Sequence, residues 1–217
     1  MRDRAELRRA LAVYVVTSSR LVPGRGHVDV AWAAIEGGAT AIQLRAPELA
    51  DRSEELLAVA AAIAELPGRR DVLFVVNDEV DVTMRTGADG VHLGQGDELT
   101  GARARLGPNL VLGLSVETPE QAQQAERMGA DYLGVTVFST ATKPDAKPVG
   151  LEGLRAIAEA TALPVVGIGG IDASNAARVL SSGAAGVAVV SAVGAARDPV
   201  GATRELVAAV SGSLDGE

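Results

Sequence analysis

Two aspartates offer the clearest starting chemistry. Asp78 lies in the stretch VVNDEV and Asp97 in LGQGDEL, each just after a short β-rich run. If those runs are adjacent strands, the two carboxylates converge on one cation. A small set of hard oxygen ligands suits Mg²⁺, which keeps several waters and completes its shell with substrate phosphates. Two histidines and no cysteine make zinc a poor fit. An aspartate just before a helix is also a favoured N-cap, so Asp78 taken alone has a purely structural reading. Paired with Asp97, it points to the metal.

Anion chemistry collects in similar places. Gly169-Gly170 follows a run of small and branched residues and lets backbone N–H groups approach a phosphate; Val190-Ser191 ends the last such run. Ser191 opens a segment whose first N–H groups add donors. Arg45 offers a planar fork for phosphate oxygens, and Lys143 a mobile point charge. Thr140 and Thr142 flank that lysine with hydroxyls in the loop STATKP. Two anions are therefore expected, a phosphate monoester on one side and a more highly charged group, such as a pyrophosphate, near the metal.

The elements that must position these groups follow a simple alternation. Strand-like runs fall at 12–17, 40–45, 72–76, 89–93, 110–114, 131–137, 163–168 and 185–190. Helix-favouring stretches fall near 28–37, 51–65, 79–86, 98–106, 117–128, 150–160, 173–181 and 198–211. Strands alternating with helices imply parallel crossovers. A Gly-Ala pair at 38–39, 87–88, 129–130 and 183–184 precedes the second, fourth, sixth and eighth strands. Glycine there is expected as a left-handed helix C-cap. Four equal quarters predict closure into a single (β/α)₈ TIM barrel over residues 1–217, with 1–11 an N-terminal extension. In such a barrel, catalytic groups sit at the C-terminal ends of the strands, and the loops after strands seven and eight form the usual phosphate site. Seven of the eight strands here end in polar or glycine-rich residues, including Gln43, Arg45, Asn77 and Ser115.

Composition narrows the partners. Hydrophobic residues make up 47% of the chain but aromatics only 2%, so the core must be Val, Leu, Ile and Ala. A net charge of −8 argues against nucleic acid and anionic membranes. No apolar run approaches the ~20 residues of a membrane span, and the charged start MRDRAELRRA has no signal core. A soluble, cytoplasmic protein acting on small molecules is expected, with homo-oligomerisation left open. His27 reads as an exposed helix-start residue, His92 as a packed or hydrogen-bonded barrel residue, and Trp32 as core. Tyr14 fits either a buried position or the wall of the mouth. No Ser-His-Asp or Cys-His set supports acyl transfer.

The segments GGATAIQLR, VVNDEVDVTMRTGADGVHLGQGD, GLSVET, DYLGVTVFSTATKPDA, VVGIGGI and GVAVVSAV, in that order, resemble the thiamine phosphate synthase family over nearly the whole chain. That resemblance implies a transferase of thiamine biosynthesis, joining a hydroxymethylpyrimidine diphosphate to a (carboxy)thiazole phosphate with release of pyrophosphate. It implies Asp78 and Asp97 as Mg²⁺ ligands, and Gln43, Arg45, Asn77, Ser115 and Lys143 around the pyrimidine diphosphate. Of these, Arg45, Ser115 and Lys143 carry the catalytic role. Thr140, Ala141, Thr142, Gly170, Val190 and Ser191 match the thiazole phosphate site. The implied mechanism is dissociative and asks for no general base. Pro47 stands where the family usually has lysine, Thr136 replaces a Gly-Pro, Ser139 a proline and Ser18 an aspartate. The alternatives are a thiazole tautomerase-like enzyme, whose relatives lose the aspartates and the Thr-x-Thr-Lys loop, and a non-catalytic thiazole-phosphate binding protein.

Overall fold

The alternation resolves into a closed barrel. The computed structural model describes residues 3–94, 99–141 and 146–214. Eight parallel strands pair in chain order and the last returns to the first. They are β1 (Val13–Val16), β2 (Ala41–Leu44), β3 (Leu73–Asn77), β4 (Gly90–Leu93), β5 (Val111–Ser115), β6 (Tyr132–Thr136), β7 (Val165–Ile168) and β8 (Gly186–Val189). Each falls within the expected run except that β3 and β5 extend one residue further, to Asn77 and Ser115. Those two polar residues are therefore held by strand register and not by loops.

Valine dominates the strands because both faces of a barrel strand are buried. Ile42, Phe74, Leu112 and Leu133 face outward onto the helices, while Tyr14, Leu73, Val111 and Tyr132 face the barrel interior. A first helix, α1 (Arg4–Ala10), lies beneath the strands. Its Leu7 and the following Leu11 join the interior cluster and close the floor. A Cβ on Gly186 would come within 1.9 Å of the Leu11 carbonyl oxygen, so glycine at the base of β8 is a requirement of that closure.

The outer ring comprises α2 (His27–Glu36), α3 (Ser53–Ala64), α4 (Val80–Arg85), α5 (Leu99–Leu106), α6 (Pro119–Arg127), α7 (Gly150–Glu159), α8 (Ala176–Leu180), the short α9 (Ser191–Gly194) and α10 (Pro199–Leu214). Helix α6 begins with a capping box, Thr118 and Gln121 satisfying each other's backbone amides. Trp32 departs from expectation. It is 47% exposed, on the outward face that it shares with Asp29 and Glu36, because α2 packs through the smaller Val30, Ala31 and Ala34.

The Gly-Ala repeat has a structural cause, with one correction. Gly38, Gly129 and Gly183 are left-handed, at φ of 90°, 85° and 95°. Gly87 is not, because α4 ends through Thr86 in extended backbone (φ −120°, ψ 153°). What three of the quarters share is the residue after the pair. The Asp89 carboxylate accepts the amide of Phe74 at 2.8 Å and the guanidinium of the buried Arg69 at 2.7 Å. The Asp131 carboxylate accepts the amide of Leu112 at 2.8 Å and the guanidinium of Arg103 at 2.5 Å. At the first quarter, Thr40 Oγ1 accepts the amide of Val13. Each clasp joins an odd strand to the even strand that follows.

Candidate active site

The C-terminal ends of the strands enclose a cavity of about 460 Å³. Gln43, Arg45, Asn77 and Ser115 line one side of it; Thr140, Gly170, Val190 and Ser191 also line it, from the loops and strand ends of the last three units. The residues expected for two separate ligands thus face one space. Asp78 and Ala141 are exposed and do not line the cavity. Asp97, Thr142 and Lys143 lie outside the described residues.

The cavity floor is a belt of polar side chains that only the closed barrel brings together. Gln43 Nε2 donates to the Tyr14 hydroxyl at 2.9 Å, and that hydroxyl lies 3.0 Å from the hydroxyl of Tyr132. His92 Nδ1 is 3.0 Å from the Tyr132 hydroxyl, and its Nε2 is 3.0 Å from Ser115 Oγ. Glycines make room for these rings. A Cβ on Gly113 would sit 2.2 Å from Tyr132 Cζ, and one on Gly134 would sit 2.9 Å from His92 Cε1. Burial pushes both phenols well above their usual range; for Tyr14 the bonds from Tyr132 and Gln43 only partly offset this. Both hydroxyls therefore stay protonated. His92 is a hydrogen-bonded barrel residue, as expected, and Tyr14 is at once buried and part of the wall. Tyr132 was not expected at the site. Its signal was the inward alternation Tyr132, Gly134, Thr136 on β6.

Charge at the mouth is held differently. Arg45 lines the cavity and has no carboxylate partner among the described residues. Asp78 is the only non-glycine at positive φ (63°) among the described residues. Its Oδ2 accepts from Asn77 Nδ2 at 2.6 Å. It does not cap a helix, since Glu79 is the N-cap residue of α4. Left-handed backbone costs a non-glycine residue about 1 kcal/mol, and such strain collects at functional sites. A constrained, exposed carboxylate beside the cavity, in a chain without cysteine, fits a hard divalent cation. Among the described residues, no three His, Cys, Asp or Glu cluster as a complete metal cage.

Beside Arg45 sits a network that sequence reading missed. His27 was expected to be exposed. It is buried, with Nδ1 2.8 Å from Thr17 Oγ1 and Nε2 2.7 Å from Glu48 Oε1. Ser19 also donates to Glu48 at 2.5 Å, and the Arg45 amide lies 3.4 Å from Thr17 Oγ1. Partial burial works to raise the Glu48 pKa, but bonds from Ser19, the backbone and His27 outweigh it and bring it down to about 2. Pro47 opens the short turn Pro47–Leu49 that aims Glu48 inward.

Across the cavity, Gly169 and Gly170 are both left-handed, at φ of 92° and 61°. A Cβ on either would come within 2.6 or 2.9 Å of the carbonyl oxygen of Phe138 or Ser139 respectively. The pair is required by close packing of the segments that follow β6 and β7, and this packing leaves Gly170 exposed at the cavity wall. Asn175 fixes the turn by donating to the Gly170 carbonyl at 2.9 Å. Ser191 begins α9.

Known proteins match this arrangement along nearly its whole length. The family model described as thiamine monophosphate synthase matches residues 13–193. The thiamine-phosphate synthase of Moorella thermoacetica is 49% identical over 197 residues, covering 89% of this chain and 93% of its own. That of Pyrococcus furiosus is 46% identical over 201 residues, covering 92% and 95%. The solved thiamine phosphate pyrophosphorylase from Pyrococcus furiosus superposes with a TM-score of 0.84 at 44% identity, covering 96% of this chain and 99% of that one. A barrel whose mouth carries an arginine with no carboxylate partner among the described residues, a strained aspartate and a glycine-built wall is thus matched in sequence and in fold alike, and the chain belongs to the thiamine monophosphate synthase family.

Proposed function

We propose that the chain condenses hydroxymethylpyrimidine diphosphate with a thiazole phosphate, giving thiamine phosphate and pyrophosphate. One observation carries this reading: a single cavity has polar strand ends Gln43, Arg45, Asn77 and Ser115 on one side and Gly170, Val190 and Ser191 on another. Two small phosphorylated partners fit there side by side. No helix among the described residues is long and apolar enough to cross a membrane.

The pyrimidine ring lies against Gln43 and Ser115, with its diphosphate toward Arg45, Asn77 and Lys143. Asp78 and Asp97 would hold Mg²⁺, which when bound neutralises charge on the diphosphate. The C–O bond to the pyrimidine methylene breaks with both electrons leaving on pyrophosphate. Arg45 and Lys143 stabilise that growing charge. The thiazole nitrogen then donates its lone pair to the resonance-stabilised methylene cation and forms the C–N bond. Gly170, Ser191 and Thr140 hold the thiazole phosphate so that its nitrogen faces the cation. No proton needs to be removed, which agrees with a cavity whose imidazole is bonded on both nitrogens. The carboxylated thiazole would also release CO₂.

Purified protein given both substrates and Mg²⁺ should release pyrophosphate and form thiamine phosphate in equal amounts. No product at any Mg²⁺ concentration would overturn the proposal.

A further inference from the structure

The belt on the cavity floor has a direction. Gln43 Nε2 donates to Tyr14, so the Tyr14 oxygen is an acceptor there and its hydrogen must go to its other partner, Tyr132. The Tyr132 oxygen accepts that hydrogen, which leaves its own hydrogen to go to His92 Nδ1. Nδ1 is then an acceptor without a hydrogen. A neutral imidazole in that state carries its hydrogen on Nε2, which donates to Ser115 Oγ. Ser115 is left with its own hydrogen to give. Gln43 is left with its carbonyl oxygen to accept. A hydrogen on Nδ1 would break the chain, because the Tyr132 hydrogen would then have to face that of Tyr14. One buried phenol would lose its acceptor, a cost of about 1–3 kcal/mol.

We propose that Gln43, Tyr14, Tyr132, His92 and Ser115 form one directional hydrogen-bond relay that makes the Ser115 end a donor and the Gln43 end an acceptor toward the ring bound in the cavity. Tyr14, Tyr132 and His92 act as positioning residues, through the two end groups. The relay joins four strands, β1, β2, β4 and β5, through the Tyr132 that β6 supplies at its centre. A ring is selected if it offers an acceptor to Ser115 and a donor to Gln43. An aminopyrimidine, with its ring nitrogens and exocyclic amine, has that pattern. The identity of the ring rests on the proposed condensation, whereas the direction of the relay does not.

The test uses the fact that the chain has only two histidines. In ¹⁵N-histidine-labelled protein without substrate, His92 should carry a hydrogen on Nε2 and none on Nδ1, and His27 serves as the internal reference. A hydrogen on Nδ1, or on both nitrogens, overturns the proposal. Tyr132→Phe should release His92 to a mixture of tautomers, raise the KM for pyrimidine diphosphate about tenfold, and leave the KM for thiazole phosphate unchanged. Gln43→Glu puts a group that only accepts at the far end. Read at about pH 9, where such a carboxyl is ionised, it should reverse the relay and move the His92 hydrogen to Nδ1, although Gln43 does not touch His92. An unmoved His92 signal in both variants refutes the relay. The spectra need no turnover, so an inactive protein with the expected tautomer would sink the condensation and leave the relay standing.

Discussion

The floor and the mouth of this barrel treat charge in opposite ways. At the floor, Arg69 and Arg103 each meet an aspartate and also donate to backbone carbonyls, Arg69 to Val72 and Gly87, and Arg103 to Gly107, Leu110 and Gly129. The aspartates in turn hold strand amides. At the mouth, Arg45 has no such carboxylate among the described residues, and Asp78 is held in a costly backbone conformation by its neighbour Asn77. Both ends use the same residue types. Pairing turns them into clasps at the floor, whereas the proposed function assigns those at the mouth to ligands.

The largest expected effect breaks a floor clasp. Asp89→Ala removes the carboxylate that meets the buried Arg69, which should cost about 3–5 kcal/mol and lower Tm by roughly 10 °C. Activity per folded molecule should persist below that temperature, as assayed alongside thermal denaturation. Lost activity in a fully folded variant would erase the division between floor and mouth. Arg45→Ala is the reciprocal case. It should reduce kcat/KM for the diphosphate about a hundredfold with Tm unchanged; a large fall in Tm would mean that Arg45 is structural after all.

Glu48 tests whether the mouth is uniformly unpaired, since it is the paired exception there. Its folded pKa is depressed to about 2 from a usual 4.5. The stability it confers is therefore complete above about pH 4.5 and lost as pH falls towards 2. Glu48→Gln should remove that acid-titrating component, which solvent screening of this partly exposed carboxylate reduces to on the order of 2 kcal/mol, from denaturation curves taken across this window. An unchanged acid limb would refute it. The smallest effect is the most diagnostic. Asp78→Gly should relieve left-handed strain and raise stability by about 1 kcal/mol while abolishing metal-dependent turnover. Stability and activity falling together would mean that Asp78 serves the fold.

The strands were legible in the sequence because runs such as VLFVV and LVLGL suit a strand buried on both faces. The mouth was legible because polar residues at strand ends have few other uses. What escaped were contacts set by closure. Tyr14 and Tyr132 are 118 positions apart and meet only across the barrel interior. His27 is buried by partners from two other segments, Thr17 and Glu48. Trp32, on an Ala-rich helix, was read as core, whereas the space between α2 and the strands takes valine and alanine. The Gly-Ala repeat was visible as a pattern, but its cause lay one residue further on, in side chains that reach the neighbouring strand.

The few aromatic residues also sort the molecule optically. Its only tyrosines, Tyr14 and Tyr132, face each other edge-on inside the barrel with ring centroids 6.2 Å apart. Its only tryptophan stands half exposed on the outer helix ring. Phenol absorbance and its ellipticity therefore report the barrel interior, and indole emission reports the outer shell. The intact chain carries two separate native probes, one for each side of its wall.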